Sequence, residues 1–321
     1  MRHVPVLLQS ILDGLNIDSM KASVSSKVPV VIDCNLGDGG HSEEVVVALK
    51  GNVHVIGFDL DPNAIQRATA NIERRVAEEK QKDSSFADPK LTFINQNFRT
   101  LKKAVSDHRA LATGETADAI LFDLGISSYE IDESGRGFSF QRDEPLSMTF
   151  GTPETYAFTA YDIVNTWEEE SIADIIYAYG EDTFSRRVAK AIVAARAEKA
   201  IETAKQLADI VRQSYPGFAR NGRTHPATKT FQALRIAVND ELRSIHEAMP
   251  QAVELLKPEG RLAVISFHSL EDRIIKNFFK EQSDEGTIKI LTKKPEVPSD
   301  EEIAANPRSR SSKLRIAEKL R

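Results

Sequence analysis

The chain has 321 residues, 41% of them apolar, and a formal net charge of -6, which suits one large or two modest domains with a buried core. A single cysteine, Cys34, excludes an internal disulfide framework, and no apolar run approaches the roughly 18 residues of a membrane span. The N-terminus carries no signal-peptide pattern, so a cytoplasmic protein is expected.

In chain order, the apolar run from Val28 to Asp33 predicts a first strand. It opens into a loop with glycines at 37, 39 and 40, and a helical stretch, Ser42 to Leu49, follows. A second strand, Val53 to Phe58, ends at Asp59. Further strands are expected near 91–95 and 118–123, with helices near 62–80 and 99–108. Pro62 suits the first turn of its helix, where a missing N–H is no loss. Strand and helix in alternation imply an α/β fold, a parallel sheet covered on both faces.

From about Ile126 to Phe218 no strong strand is seen. A loop rich in Gly, Ser and charge (125–155) leads into helical patterns near 168–179, 181–197 and 203–214. The reading is an inserted helical subdomain over 128–217, the α/β domain comprising 1–127 and 218–321. After it, a helix with breaks covers about 226–257 and stops sharply at Lys257-Pro258-Glu259-Gly260. A strand, Arg261 to Phe267, and a helix from Leu270 come next. Late strands are expected at 287–292 and 313–317, separated by a loop at 293–310.

The average charge hides a strong segregation. From Arg186 to Arg235 there are eleven cations and three acids, a net of +8; from Arg308 to Arg321, six cations face one acid, a net of +5. This distribution suits a polyanion-binding face on an acidic protein, although solvated helix faces look the same in sequence.

The glycine loop separates two cofactor classes. A nicotinamide fingerprint needs Gly-x-Gly-x-x-Gly, but the third position here is Ser42. A dinucleotide also needs a helix N-terminus aimed at its pyrophosphate, which a phosphate-free ligand does not. Gly-x-Gly-Gly with a strand-end acid, Asp59, suits S-adenosylmethionine, whose amino-acid end lies against the turn and whose ribose meets the acid. Asp123 ends the fourth strand and points to the same edge as Asp33 and Asp59. A strand-end carboxylate could also simply cap the next helix, but three acids at three strand ends are harder to dismiss together. The seven histidines show no metal spacing, and no metal is expected. Cys34 reads as a small buried hydrophobe.

Eight segments carry a resemblance. They are His3-Val4-Pro5-Val6-Leu7-Leu8, Gly37–Ser42, Phe58-Asp59-Leu60-Asp61-Pro62, Asp123-Leu124-Gly125-Ile126-Ser127-Ser128 and Arg136-Gly137-Phe138-Ser139-Phe140. The others are the blocks His225–Ile236, Ser266–Arg273 and Asn306–Ser312. Together they make the chain similar to the bacterial 16S ribosomal RNA (cytosine-N4) methyltransferases, the small-subunit methyltransferase H family. The resemblance implies a seven-stranded Rossmann-like methyltransferase sheet with a helical insert. It also implies S-adenosylmethionine as cofactor and methyl transfer to N4 of a cytidine in the decoding region of small-subunit RNA. The small ribosomal subunit is then the partner, no membrane is involved, and a homodimer is left open.

By position, the resemblance puts Gly39, Gly40 and His41 on the cofactor, Asp59 on its ribose, Phe98 beside the adenine and Asp123 at the strand-four contact. Asp123 is also a candidate acceptor for the N4 hydrogen. Glu130 stands where the family has a glutamine, and a carboxylate cannot donate the amide's N–H. Ser147 and Thr149 stand where the family has an acid and an arginine, and Asp38 stands where small or basic residues are common.

On the substrate side, Arg136, Phe138 and Phe140 could line the entry of an unpaired base, or staple a loop. His225, Thr230, Gln232 and Arg235 could read RNA from a helix start, with Arg235 on phosphate. Ser266, His268 and Ser269 end the fifth strand at the crevice edge, Ser269 as the expected helix cap. Two other readings stay open: a catalytically silent ribosome-assembly factor and a nicotinamide-dependent oxidoreductase.

Overall fold

The Val-Val-Ile run before Asp33 is β-branched and buried at every position, and it forms β1 (Val30–Asp33). Its side chains alternate between two apolar layers. Val30 and Ile32 pack with Ile56, Phe58, Ile120 and Phe122, while Val31 packs with Val45, Val55, Leu121 and Ile265. The structure is a computed structural model describing residues 5–24, 27–220, 222 and 224–321. His3 and Val4 of the N-terminal motif and Arg223 of the basic run lie outside the described residues.

The chain divides into two compact units, one of residues 1–125 with 242–321 and one of residues 126–241. The first holds a seven-stranded sheet in the order β3-β2-β1-β4-β5-β7-β6. The strands are β1, β2 (His54–Phe58), β3 (Lys90–Ile94), β4 (Ala117–Asp123), β5 (Leu256–Ser266), β6 (Ile288–Ile290) and β7 (Lys313–Lys319). Strands β1 to β5 run parallel, and β7 is antiparallel to both β5 and β6. The order reverses between β1 and β4, so their carboxyl ends flank the crevice where such sheets bind ligands. Helices α1 (Leu8–Gly14), α2 (Ile17–Ser23), α3 (Gly40–Ala48), α4 (Pro62–Lys82), α5 (Leu101–Asp107), α13 (Glu241–Leu255), α14 (Ser269–Asp284) and α15 (Asp300–Ala305) accompany it.

One boundary differs from expectation. Lys257–Gly260 does not end the preceding helix as a free stop; α13 ends at Leu255 and β5 begins at once. Leu256 pairs with Ala117 and Arg261 with Ala119, so the four intervening residues bulge out of the ladder. A bulge accepts Pro258, which has no N–H to give the sheet. The expected loop at 293–310 also contains α15.

The second unit contains α6 (Ser128–Asp132), α7 (Ala160–Thr166), α8 (Glu169–Gly180), α9 (Ser185–Glu198), α10 (Ala204–Ser214), α11 (Gly217–Arg220) and α12 (Ala227–Asn239). The expected boundary after residue 217 falls instead after Glu241. The physical reason is α12, whose Ala227, Phe231, Ala233, Leu234 and Val238 join the same apolar cluster as Ile163, Ile172, Ile176 and Ile192. Its close partner is α8: a Cβ added at Gly180 would stand 2.6 Å from the Lys229 carbonyl oxygen.

Candidate active site

Asp33, at the end of β1, is buried and accepts the Ser42 hydroxyl at 2.7 Å and the Asn35 N–H at 3.2 Å. The chain then turns through the glycine loop, held by Leu36 N–H to Phe58 O (2.8 Å) and Gly39 N–H to Leu36 O (2.8 Å). Gly37 and Gly39 have φ of 52° and 83°, a region that side chains with a Cβ rarely occupy. Gly39 is also packed, because a Cβ there would meet the Ala68 Cβ at 3.0 Å. A Cβ at Gly37 would meet nothing within 4 Å. Asp38 points outward and pairs with Arg67 at 2.7 Å, which accounts for an acid at that loop position.

Asp59 receives two backbone N–H groups, Gly37 on Oδ2 and Asp61 on Oδ1, each at 2.8 Å. It therefore ties the glycine loop to the start of α4, where Asp61 caps the helix and Pro62 takes the first position. Burial pushes the Asp59 carboxyl up to about 6, against the two N–H groups, and the charges of Asp61 and Asp33 raise it further.

Asp123, at the end of β4, has Oδ2 3.5 Å from His41 Nδ1. Its Oδ1 is buried with no hydrogen-bond partner among the described residues. Burial raises its carboxyl to about 6; His41 opposes this, while Asp33 and Glu271 add to it. Three strand-end carboxylates thus influence one another at one sheet edge, with Asp33 common to both couplings. His41 is buried, and its Nε2 lies 3.0 Å from the Val6 carbonyl. Phe98 opens a short 3-10 turn after β3 and packs edge-on against Phe122 at 5.4 Å. The sequence reading missed Ser42 as the partner of Asp33; its place directly after the glycines was the available signal.

At the end of β5, Ser266 is buried and its hydroxyl lies 3.5 Å from the Lys313 carbonyl. His268, rather than Ser269, is the cap of α14: its Nδ1 accepts the Glu271 N–H at 3.4 Å, and Glu271 accepts the Phe267 N–H at 2.8 Å.

In the second unit, several expected substrate residues are committed to structure. Arg136 Nη1 donates to the carbonyls of Thr149 (3.0 Å), Phe150 and Gly151 (3.5 Å). Phe138 is buried and stacks on Phe150 at 5.8 Å. Thr230 is fully buried, and Gln232 donates to the Tyr179 carbonyl at 2.8 Å. Arg235 makes a two-pronged, buried pair with Glu241 at 2.8 and 2.9 Å, so its expected place on phosphate is taken by a carboxylate. His225 is exposed, with its ring stacked on Phe140 at 4.6 Å.

The departures from the family pattern also acquire partners. The Glu130 carboxylate accepts the Ser127 N–H at 2.7 Å and the Ser127 hydroxyl accepts the Glu130 N–H at 3.2 Å, a capping box for α6. Ser147 and Thr149 hydrogen-bond each other at 3.0 Å, so the two changes form one neutral contact.

A family model described as the MraW methylase family matches residues 1–320. A protein of Heliobacterium modesticaldum named ribosomal RNA small subunit methyltransferase H is 43% identical over 334 residues, covering 99% of each chain. One of the same name from a Paenibacillus species is 40% identical over 336 residues, again covering 99% of each. Among solved structures, an rRNA methylase from Streptococcus thermophilus covers 95% of both chains at 12% identity and a TM-score of 0.40. Among the described residues no helix is long and apolar enough to cross a membrane. The full-length family match and the two near-complete relatives establish that this chain belongs to the MraW methylase family.

Proposed function

We propose that the protein transfers a methyl group from S-adenosylmethionine to N4 of a cytidine in the decoding region of 16S ribosomal RNA. The observation that carries the cofactor half is the crowding of Asp33, Asp59 and Asp123 at one sheet edge. Buried Glu43, in the first turn of α3, is paired with Arg75 at 3.8 Å and so leaves these three acids to set the local charge. A helix start surrounded by acids repels a pyrophosphate and welcomes a cation, which disfavours the nicotinamide reading.

The residues present fit this cofactor. The space beside Gly37 is open, Asp123 Oδ1 is a buried acceptor in need of a donor, and Asp59 keeps lone pairs beyond its two backbone bonds. Asp59 would take ribose hydroxyls, Gly39, Gly40 and His41 the amino-acid end, Phe98 a face of the adenine, and Asp123 an N–H. When bound, the cofactor supplies an electrophilic methyl group on a sulfonium sulfur.

The N4 lone pair of cytosine is delocalised into the ring, so the site contributes alignment and an acceptor rather than a strong base. Asp123, where it does not serve the cofactor alone, would accept the N4 hydrogen, with no separate general base, and the proton would leave late to water. The target base must be unpaired to reach the crevice. The basic run of the second unit, with exposed His225, serves the phosphates and flanking bases. The relatives' shared name, which specifies small-subunit ribosomal RNA, supports this substrate.

Labelled methyl transfer to small subunits from cells lacking the enzyme, with the modified base mapped, tests the reaction. Label on cytosine N4 is expected. Cofactor binding by calorimetry without any transfer would leave a silent assembly factor instead, and binding of NAD in preference would overturn the cofactor. Sedimentation of the same preparation shows whether one chain or a homodimer acts.

A further inference from the structure

Phe218, in α11, is 86% exposed, more than any other large apolar side chain described. Its position is nevertheless built. The ring packs edge-to-face with Phe184 at 6.4 Å between centroids, and Phe184 packs on Tyr215 at 5.0 Å. Tyr215 is anchored by its hydroxyl, which donates to buried Asp182 at 2.5 Å. Arg220 closes the corner after α10 by donating to the carbonyls of Tyr215 (2.8 Å) and Gln213 (2.7 Å). A phenyl ring held by one aromatic contact and 86% exposed leaves most of its surface in water and is not part of a core.

Cations stand close to it in sequence and on α9, which starts at its ring partner Phe184. Arg212 in the last turn of α10, and Arg187 and Lys190 along α9 from Phe184, are exposed and make no ion pair among the described residues. Neighbouring cations differ: Arg186 pairs with Asp174 at 2.8 Å and Lys205 with Asp209 at 3.5 Å. Arg212 also acts on His225, whose exposed ring is kept below the ordinary imidazole range first by partial burial and then by that charge. An uncharged ring is thereby presented on the same side as Arg212.

We propose that Phe218 is a stacking platform for an unpaired base of single-stranded RNA, with Arg212, Arg187 and Lys190 holding the adjoining phosphates. The charge complementarity selects a polyanion, and the exposed ring selects one with free base faces, which a duplex does not offer. The proposal rests on ribosomal RNA as the substrate and adds a contact to a base other than the methyl-accepting one.

The test is fluorescence anisotropy of the full chain with a labelled single-stranded oligoribonucleotide of about twelve nucleotides, and with its duplex. Single strand is expected to bind tighter than duplex, Phe218→Ala to weaken single-strand binding about tenfold, and Phe218→Trp to restore it. Arg212→Gln should lower the salt slope by about 0.7. Wild-type affinity in a Phe218→Ala variant with unchanged circular dichroism would overturn the proposal, as would tighter binding to anionic lipid vesicles than to RNA. Methyl transfer by the wild type, measured alongside, keeps the two readings apart. Its absence with a normal Phe218 effect removes the reaction alone, and its presence with no Phe218 effect removes the platform alone.

Discussion

His41 Nδ1 lies 3.5 Å from Asp123 Oδ2, while the opposite ring nitrogen lies 3.0 Å from the Val6 carbonyl. A carbonyl only accepts, so Nε2 carries a hydrogen and Nδ1 is left to face the carboxylate. His41 thus joins the N-terminal segment to the end of β4. It also opposes the rise of the Asp123 carboxyl, which burial pushes up to about 6. Replacing His41 by Gln keeps a donor for Val6 and removes the imidazole beside Asp123. The Asp123 titration midpoint should then move above its present value, read by carboxyl carbon shifts in NMR spectra with Asp123→Asn as the assignment control. An unchanged or lower midpoint would refute this coupling.

Cofactor affinity should depend on pH in the same range. Asp59 and Asp123 both titrate near about 6, so at pH 7 they are largely charged and attract a sulfonium cation. As pH falls through 6 they take up protons and that attraction is lost. Calorimetric affinity for S-adenosylmethionine should therefore fall below pH 6, and more steeply than affinity for the uncharged thioether product. The stability sign is also set. Folded-state values above the usual 3.8 mean that the folded chain holds protons the unfolded chain has released, so these two groups lower stability as pH rises from about 4 to about 6.

Two neighbouring glycines should separate folding from binding. At Gly39, alanine meets both a strained φ of 83° and the Ala68 side chain, and a loss of roughly 1–3 kcal/mol is expected. At Gly37, alanine meets only the strain, about 1 kcal/mol, but intrudes on the open side of the loop. Thermal melts should thus penalise Gly39→Ala more, whereas Gly37→Ala should lose cofactor affinity out of proportion to its melting temperature. Equal losses in both measurements for both variants would contradict this division.

Arg235 is expected to act on stability. The guanidinium is largely buried and Glu241 is buried, so losing the two charge-assisted hydrogen bonds between them should cost roughly 1–3 kcal/mol. Arg235→Gln should lower the denaturation midpoint strongly while leaving the salt slope of RNA binding as it was, provided the variant is assayed below its melting temperature. A reduced salt slope with normal stability would put Arg235 back on phosphate.

Sequence alone determined the sheet of the first unit and the identity of its edge. Parallel buried strands read as apolar runs, and the acids at 33, 59 and 123 stand where those runs stop. The glycine turn was legible for the same local reason, since only residues without a Cβ settle at positive φ there. What the tertiary structure decided is which polar groups are spent. Arg235 and Glu241 lie six residues apart, and only the left-handed turn at Asp240 (φ 49°) between α12 and α13 lets them meet. Thr230 and Gln232 face inward because α12 packs on α8, whereas Phe218 stays in water because α11 is too short to bury it. Pattern in sequence reports which side of a helix is apolar. Whether a charge or ring on it is satisfied, desolvated or free depends on partners that only packing brings near, and that distinction separates the residues holding this protein together from those able to meet a substrate.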